Sequence, residues 1–242
     1  MDKIETVFFN SETNNVKLQF FFAICFPFFT VLALGIDSVF FTEHYFDARQ
    51  LTNLLSILYF AGFFFASEPH LRKLMLIMVG LSYIGELIFC KLLGMYEYRT
   101  PMIPLYVPFG HAIVYASGYV YANTNWSVNK EFSLRKYFLC FFAVLFLSVG
   151  IFLKDYFSLF FGILFFLLLK RKSWQNLYCF IALCVIFIEL VGTYFKCWAW
   201  NPDVFGFIPT SNPPMGAVFF YAGGDVLLAK IVGTWENKKK IE

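Results

Sequence analysis

The sequence predicts an all-α polytopic membrane protein, with eight transmembrane helices arranged as two parallel four-helix pseudo-repeats. Three observations carry this fold class: an excess of apolar and aromatic residues, the lengths of the apolar runs, and one long pattern that occurs twice. Of the 242 residues, 60% are hydrophobic and 14% charged, against about 25% charged in an ordinary soluble domain. A lipid solvent accounts for that balance.

Residues 1–16 form a polar N-terminal segment of mixed charge with no signal-peptide pattern, so the first apolar run is expected to stay as a membrane helix. Apolar runs follow at about 17–36, 51–67, 72–94, 104–122, 136–153, 155–170, 176–195 and 213–233. Several reach the roughly 20 residues that cross a bilayer. Only Lys154 and Asp155 separate the fifth run from the sixth, so one kinked segment and seven spans are the alternative. Charge decides between them. With eight spans, five of the 19 Lys and Arg (Arg49, Lys91, Arg99, Lys154, Lys196) fall on one side and the other fourteen share the opposite side with both termini. Seven spans would move two basic groups across and spoil this asymmetry. The positive-inside rule then predicts a multi-pass protein of the cell (inner) membrane with both termini cytoplasmic, and makes the basic tail 234–242 an anchor rather than a nucleic-acid contact.

The pattern that occurs twice is "GELIFCKLLGMYEYRTPMIPLYVPFGHAIVYASG" (85–118) and "IELVGTYFKCWAWNPDVFGFIPTSNPPMGAVFFYAGG" (188–224). Glu86 matches Glu189, Tyr96-x-Tyr98 matches Trp198-x-Trp200, and Pro108-x-Gly110 matches Pro214-x-Gly216. Tyr115 and Gly118 match Tyr221 and Gly224 at equal offsets beyond those glycines. The match divides the chain into a first unit, 17–122, and a second, 136–233. Four spans per unit give both units one orientation and put both aromatic loops on the same lysine-poor face, as two lids. The rings of the lids suit helix anchors at the membrane–water interface. The prolines stiffen the loops, and Asn212 before Pro213 fits a cap for the eighth helix.

Glu86 and Glu189 lie six to eight residues inside their spans, roughly 10 Å below the outer surface. His111 sits at about the same depth, and Asp225 near the midplane. Ionisable groups are expensive there and mark functional sites by default; the structural alternative is a helix-to-helix hydrogen bond. Lys91 and Lys196, between each Glu and its lid, are expected to snorkel to the interface or to pair with the glutamates. Glycines 85, 94, 110, 118, 192, 216, 223 and 224 are expected to let helices approach closely. The six cysteines form no CxxC pair and the three histidines do not cluster, so neither a disulfide framework nor a metal site is expected, and no cofactor. GxGxxG, P-loop, HExxH and GxSxG motifs are absent.

Buried acids within an aromatic cavity suit protonation of an unactivated C=C bond, because aromatic faces attract the carbocation that forms. The series Glu189, Trp198-x-Trp200 and "FGFIPTSNPPMG" (205–216) resembles the C-terminal signature of the membrane-bound carotenoid biosynthesis family of hydratases, and "GELIF" with "GMYEY" is similar to its first-half pattern. The resemblance implies addition of water to a terminal double bond of a carotenoid-like isoprenoid, or cyclisation where an alkene captures the cation. It makes Glu86 and Glu189 the acid candidates, with Asp225 or His111 orienting water. Tyr96, Tyr98, Tyr115, Trp198, Trp200, Asn212 and Tyr221 would shape the substrate pocket. The expected partners are the lipid bilayer and an apolar isoprenoid, not nucleic acid. Two other classes stay open: a proton-coupled transporter or carrier using the same acids as a relay, and a non-catalytic lipid-binding subunit whose acids lock helices together.

Overall fold

The structure is a computed structural model that describes residues 2–173 and 175–238; the last four residues of the basic tail lie outside the described residues. Helix α1 (Asp2–Ile36) runs through the polar N-terminal segment and the first apolar run without interruption. A short helix α2 (Val39–His44) follows, capped by the Ser38 hydroxyl, which accepts the Phe41 N–H at 3.0 Å. Then come α3 (Arg49–Ala66) and α4 (Pro69–Glu86), the latter continued by a π-helical turn over Leu87–Leu92. Beyond strand β1 (Tyr96–Tyr98) lie α5 (Tyr106–Ala122), the short α6 (Asn125–Asn129) and α7 (Glu131–Phe152). The rest is α8 (Tyr156–Arg171), α9 (Asn176–Tyr194), strands β2 (Trp198–Trp200), β3 (Asp203–Val204) and β4 (Ile208–Pro209), and α10 (Val218–Lys238).

A long helix lies over each apolar run. Among the described residues, five stretches are long and apolar enough to cross a membrane: Asn15–Ile36, Pro69–Leu92, Glu131–Phe152, Asn176–Tyr194 and Met215–Asn237. Helices α5 and α8 are shorter, at 17 and 16 residues. Helix α3 buries Arg49, Thr52, Asn53 and Ser56 along its inner face. The outer surface of the bundle is apolar, with Phe28, Tyr137 and Phe152 more than 70% exposed. Patches of this kind are foreign to a water-solvated monomer. The chain is an all-α membrane protein.

Between Phe152 and Tyr156 the chain turns back on itself, with Lys154 at φ 56° and Asp155 capping α8 through the Ser158 N–H at 2.8 Å. Helices α7 and α8 then pack side by side as a hairpin. The fifth and sixth apolar runs are thus two packed helices and not one kinked helix. In the middle of the molecule stand α4, α5, α9 and α10: α5 packs on α4 and α9, and α10 on α4 and α9. Helices α1 and α3 flank α5, while α7 and α8 flank α9 and α10. The α5–α9 approach depends on Gly118, where an added Cβ would lie 2.8 Å from the Ile181 Cα. Of the other glycines in the sequence pattern, Gly192 and Gly216 are also closely packed, whereas Gly110, Gly223 and Gly224 meet no atom within 4 Å.

The two aromatic loops are not separate lids. Strands β1 and β2 pair antiparallel, Tyr96 opposite Trp200, Glu97 opposite Ala199 and Tyr98 opposite Trp198. One backbone bond extends the pairing at each end, Asn201 N–H to Met95 O at 3.1 Å and Arg99 N–H to Cys197 O at 2.9 Å. The second loop adds a hairpin of β3 and β4, turned by Phe205 and Gly206, both at positive φ.

Candidate functional site

Below the β1–β2 pair the two glutamates face each other's surroundings. Glu86 ends α4 and is 4% exposed; Glu189, on α9, is 5% exposed. The Glu86 Oε2 accepts the Tyr96 hydroxyl at 2.8 Å and the Tyr98 hydroxyl at 2.7 Å, while its Oε1 lies 3.2 Å from His111 Nε2. The Glu189 Oε2 accepts the indole N–H groups of Trp198 at 2.9 Å and Trp200 at 3.1 Å, and its Oε1 accepts the Tyr221 hydroxyl at 2.9 Å. The His111 and Tyr221 rings stack, with centroids 5.0 Å apart and planes 9° from parallel. A single chain of contacts, Glu86–His111–Tyr221–Glu189, therefore joins the carboxyl groups.

Each glutamate is thus held by the aromatic-x-aromatic strand that follows it in sequence. The connections differ by one residue: Tyr96 lies ten after Glu86, Trp198 nine after Glu189. The π-helical turn at Leu87–Leu92 takes up the difference. Such a turn places an additional residue inside a helix without breaking it. On the α9 side the Trp198 indole lies against Gly192, where a Cβ would come within 2.0 Å of the ring.

Two cavities meet at this network. A small one of about 60 Å³ lies toward α1 and includes Phe26, Ala33 and Tyr106 in its wall. A larger one of about 400 Å³ lies between α4 and α10 and includes Tyr115, Phe220 and Asp225. Both are lined by Glu86, Glu189, His111 and Tyr221. The two acids share their cavities, a point the sequence left open.

Of the residues the sequence singles out, Glu86, Glu189, His111, Tyr96, Tyr98, Trp198, Trp200 and Tyr221 fall in one hydrogen-bonded and stacked group. Tyr115 and Asp225 line the larger cavity outside that group. Three expectations are corrected. The lid rings are not interface anchors: Tyr96, Trp198 and Trp200 are at most 8% exposed, and their polar edges turn inward to the carboxyl groups. Asn212 neither caps the eighth helix nor lines either of these two cavities; its Oδ1 accepts the Trp200 N–H at 3.0 Å, pinning β2, and the chain enters α10 through a 3₁₀ turn at Met215–Ala217. Lys91 donates to the Pro101 carbonyl and Lys196 is exposed, so neither pairs with a glutamate.

Two buried aspartates went unread as site-builders. Asp37, wholly buried after α1, accepts Arg49 at 3.1 and 3.2 Å, Arg99 at 2.8 Å and the Tyr106 hydroxyl at 2.9 Å. Asp155, also wholly buried, accepts the Ser158 hydroxyl at 2.6 Å and the Ser211 hydroxyl at 2.5 Å. Each ties one aromatic loop to the helix pair behind it. The one sequence signal was their position, each the first acid at the end of an apolar run. Arg99 also holds Asp47, outside the spans, at 2.7 Å, and this hydrogen bond lowers the Asp47 carboxyl from its ordinary range. Among the described residues no cluster of three or more His, Cys, Asp or Glu is placed to hold a metal ion.

Compared with protein-family models, curated proteins and solved structures, the chain shows no match.

Proposed function

We propose that the chain is an eight-span enzyme of the inner membrane, with both termini cytoplasmic, that adds water to a terminal C=C bond of a carotenoid-like isoprenoid. The observation that carries the reading is the unequal chemistry around two carboxyl groups in one aromatic-walled cavity. Indole N–H groups only donate hydrogen bonds, whereas phenol hydroxyls and imidazole nitrogens donate or accept. The Glu189 Oε2, held by two indoles, is therefore fixed as an acceptor. Glu86 faces two phenols and an imidazole, partners that serve whether or not its carboxyl carries a proton.

The roles follow. Glu86 gives its proton to the less substituted alkene carbon as the π pair forms the new C–H bond, leaving a tertiary cation. Aromatic faces and the Glu189 carboxylate stabilise that cation. A water oxygen then forms the C–O bond, and its surplus proton returns through His111 to Glu86. The net change is alkene plus water to tertiary alcohol. Capture by a neighbouring alkene in place of water, with loss of a proton, gives a ring. The resemblance to the carotenoid hydratases points the same way.

Support for the eight-span, two-unit arrangement comes from the helices over all eight apolar runs, the charge asymmetry, and a strand pair whose residues exchange under a half-turn. A proton-coupled transporter draws support from the chain linking the two acids.

Expression in a lycopene-producing host tests the reading by mass spectrometry of the pigments. The expected result is a product heavier by one water, absent with Glu86→Gln and strongly reduced with Glu189→Gln. An isomer of unchanged mass identifies cyclisation. Unchanged pigment, with the protein present in the membrane, rejects lycopene as the substrate.

A further inference from the structure

We infer that the larger cavity is a binding subsite for an isoprenoid-like chain bearing a hydroxyl group, which seats on Asp225. The inference rests on the reading of this cavity as a lipid-substrate site, but not on the reaction proposed there.

The first observation is an unpaired carboxyl oxygen. Asp37, Asp155, Glu86 and Glu189 are all buried, and every one is held by at least two hydrogen-bond donors. Asp225 is just as buried, at 4% exposure, yet its Oδ2 has no hydrogen-bond partner among the described residues. The nearby Tyr221 hydroxyl is already committed to Glu189. An ionisable side chain deep in a spanning helix is costly to keep, and an unsatisfied one more so.

The second observation is room beside it. The cavity that Asp225 lines is about 400 Å³, within the roughly 300–1,000 Å³ typical of small-molecule sites. On the α10 wall Gly223 and Gly224 precede Asp225, and a Cβ on either would meet no atom within 4 Å. On the α4 wall Gly85 would meet only the Phe89 ring, at 3.9 Å. Both walls are thus pared back level with the acid. The rim includes Ile84 and Leu227, which are 55% and 46% exposed on the outer surface of the bundle. The cavity therefore opens sideways between α4 and α10, where lipid lies.

These facts define the ligand's chemistry. It reaches the site through the bilayer, so most of it is apolar. It brings one O–H to the depth of Asp225, where a carboxyl group pairs with a hydroxyl as acceptor or donor. A neutral hydroxyl crosses the bilayer far more readily than an ammonium group. A chain longer than the cavity leaves its remainder in the lipid.

Binding of geranylgeraniol and of its methyl ether to the purified protein in lipid nanodiscs, followed by tryptophan fluorescence, tests this. The two probes differ only in the hydrogen-bond donor. The alcohol is expected to bind at least ten-fold more tightly than the ether. Asp225→Leu should abolish that preference while keeping the affinity for the ether, and Gly224→Leu should weaken both probes. Equal binding of the two to the unaltered protein, binding of neither, or a preference that survives Asp225→Leu would overturn the subsite. No turnover is read. Hydration without an alcohol preference therefore sinks only the subsite, and an alcohol preference without hydration sinks only the reaction.

Discussion

Trp198 and Trp200 show how far one side chain's hydrogen-bonding capacity reaches. In sequence, Trp-x-Trp and Tyr-x-Tyr look like interchangeable aromatic anchors. In the structure they differ in what they permit at the carboxyl group they hold, since an indole donates and cannot accept. Trp200→Phe keeps an aromatic ring and removes one of three donors to Glu189. Loss of a hydrogen bond to a charged group costs about 1.5–3 kcal/mol. The variant is expected to unfold several degrees lower in detergent and to lose most of the proposed hydration activity; unchanged unfolding would show that the Trp200 N–H contributes nothing to holding Glu189. Asp47 adds a small pH dependence. Its folded carboxyl is lowered by Arg99, so the stability it contributes is present above the ordinary carboxylate range and is lost as pH falls through the lowered value. Its side chain is 53% exposed, so salt screens the contribution.

Among the elements, the π-helical turn after α4 is the most specific feature, and it follows from a mismatch of one residue between the two Glu-to-aromatic connections. Deleting one residue within 87–92 should convert the turn to α-helix and leave Tyr96 and Tyr98 able to reach Glu86. Deleting one residue within 190–195 has no surplus to absorb it and should break the Trp198 and Trp200 contacts. The expected outcome is normal membrane insertion and near-normal thermal stability for the first deletion, and misfolding for the second. Equal damage from both would mean that the π turn does more than accommodate an extra residue. The α7–α8 turn was legible from two charged residues between apolar runs. The sheet was not: an aromatic-x-aromatic triplet in each loop is too short to mark a strand, and the two pair only because two loops 102 residues apart meet.

At the scale of the whole molecule, four central helices carry the site and two outer pairs support it through Asp37 and Asp155. Near the other ends of α4 and α10, Glu236 holds Lys73 at 2.6 Å and His70 at 3.2 Å, so the start of α4 lies beside the end of α10. The two-unit proposal requires both termini on one side of the membrane. A green fluorescent protein fused after Glu242 should therefore fluoresce, and alkaline phosphatase fused there should be inactive. The reverse pattern would place the C-terminus on the outer side and overturn the topology with both termini cytoplasmic.

Composition and run length were enough to determine that this chain lives in lipid as a bundle of helices, because apolar surface in that excess has no other stable solvent. The pattern that occurs twice was enough to select both glutamates and Tyr221, because the same series in the same order stands out without any structure, and His111 was selected as an ionisable group inside an apolar run. What only the tertiary structure decided is direction: that the lid rings turn inward, that both acids share their cavities, that Asn212 pins β2, and that the Asp225 Oδ2 is left without a partner among the described residues. Sequence spacing fixes which residues travel together along a helix or strand. Which of their edges meet across the bundle depends on packing between segments a hundred residues apart.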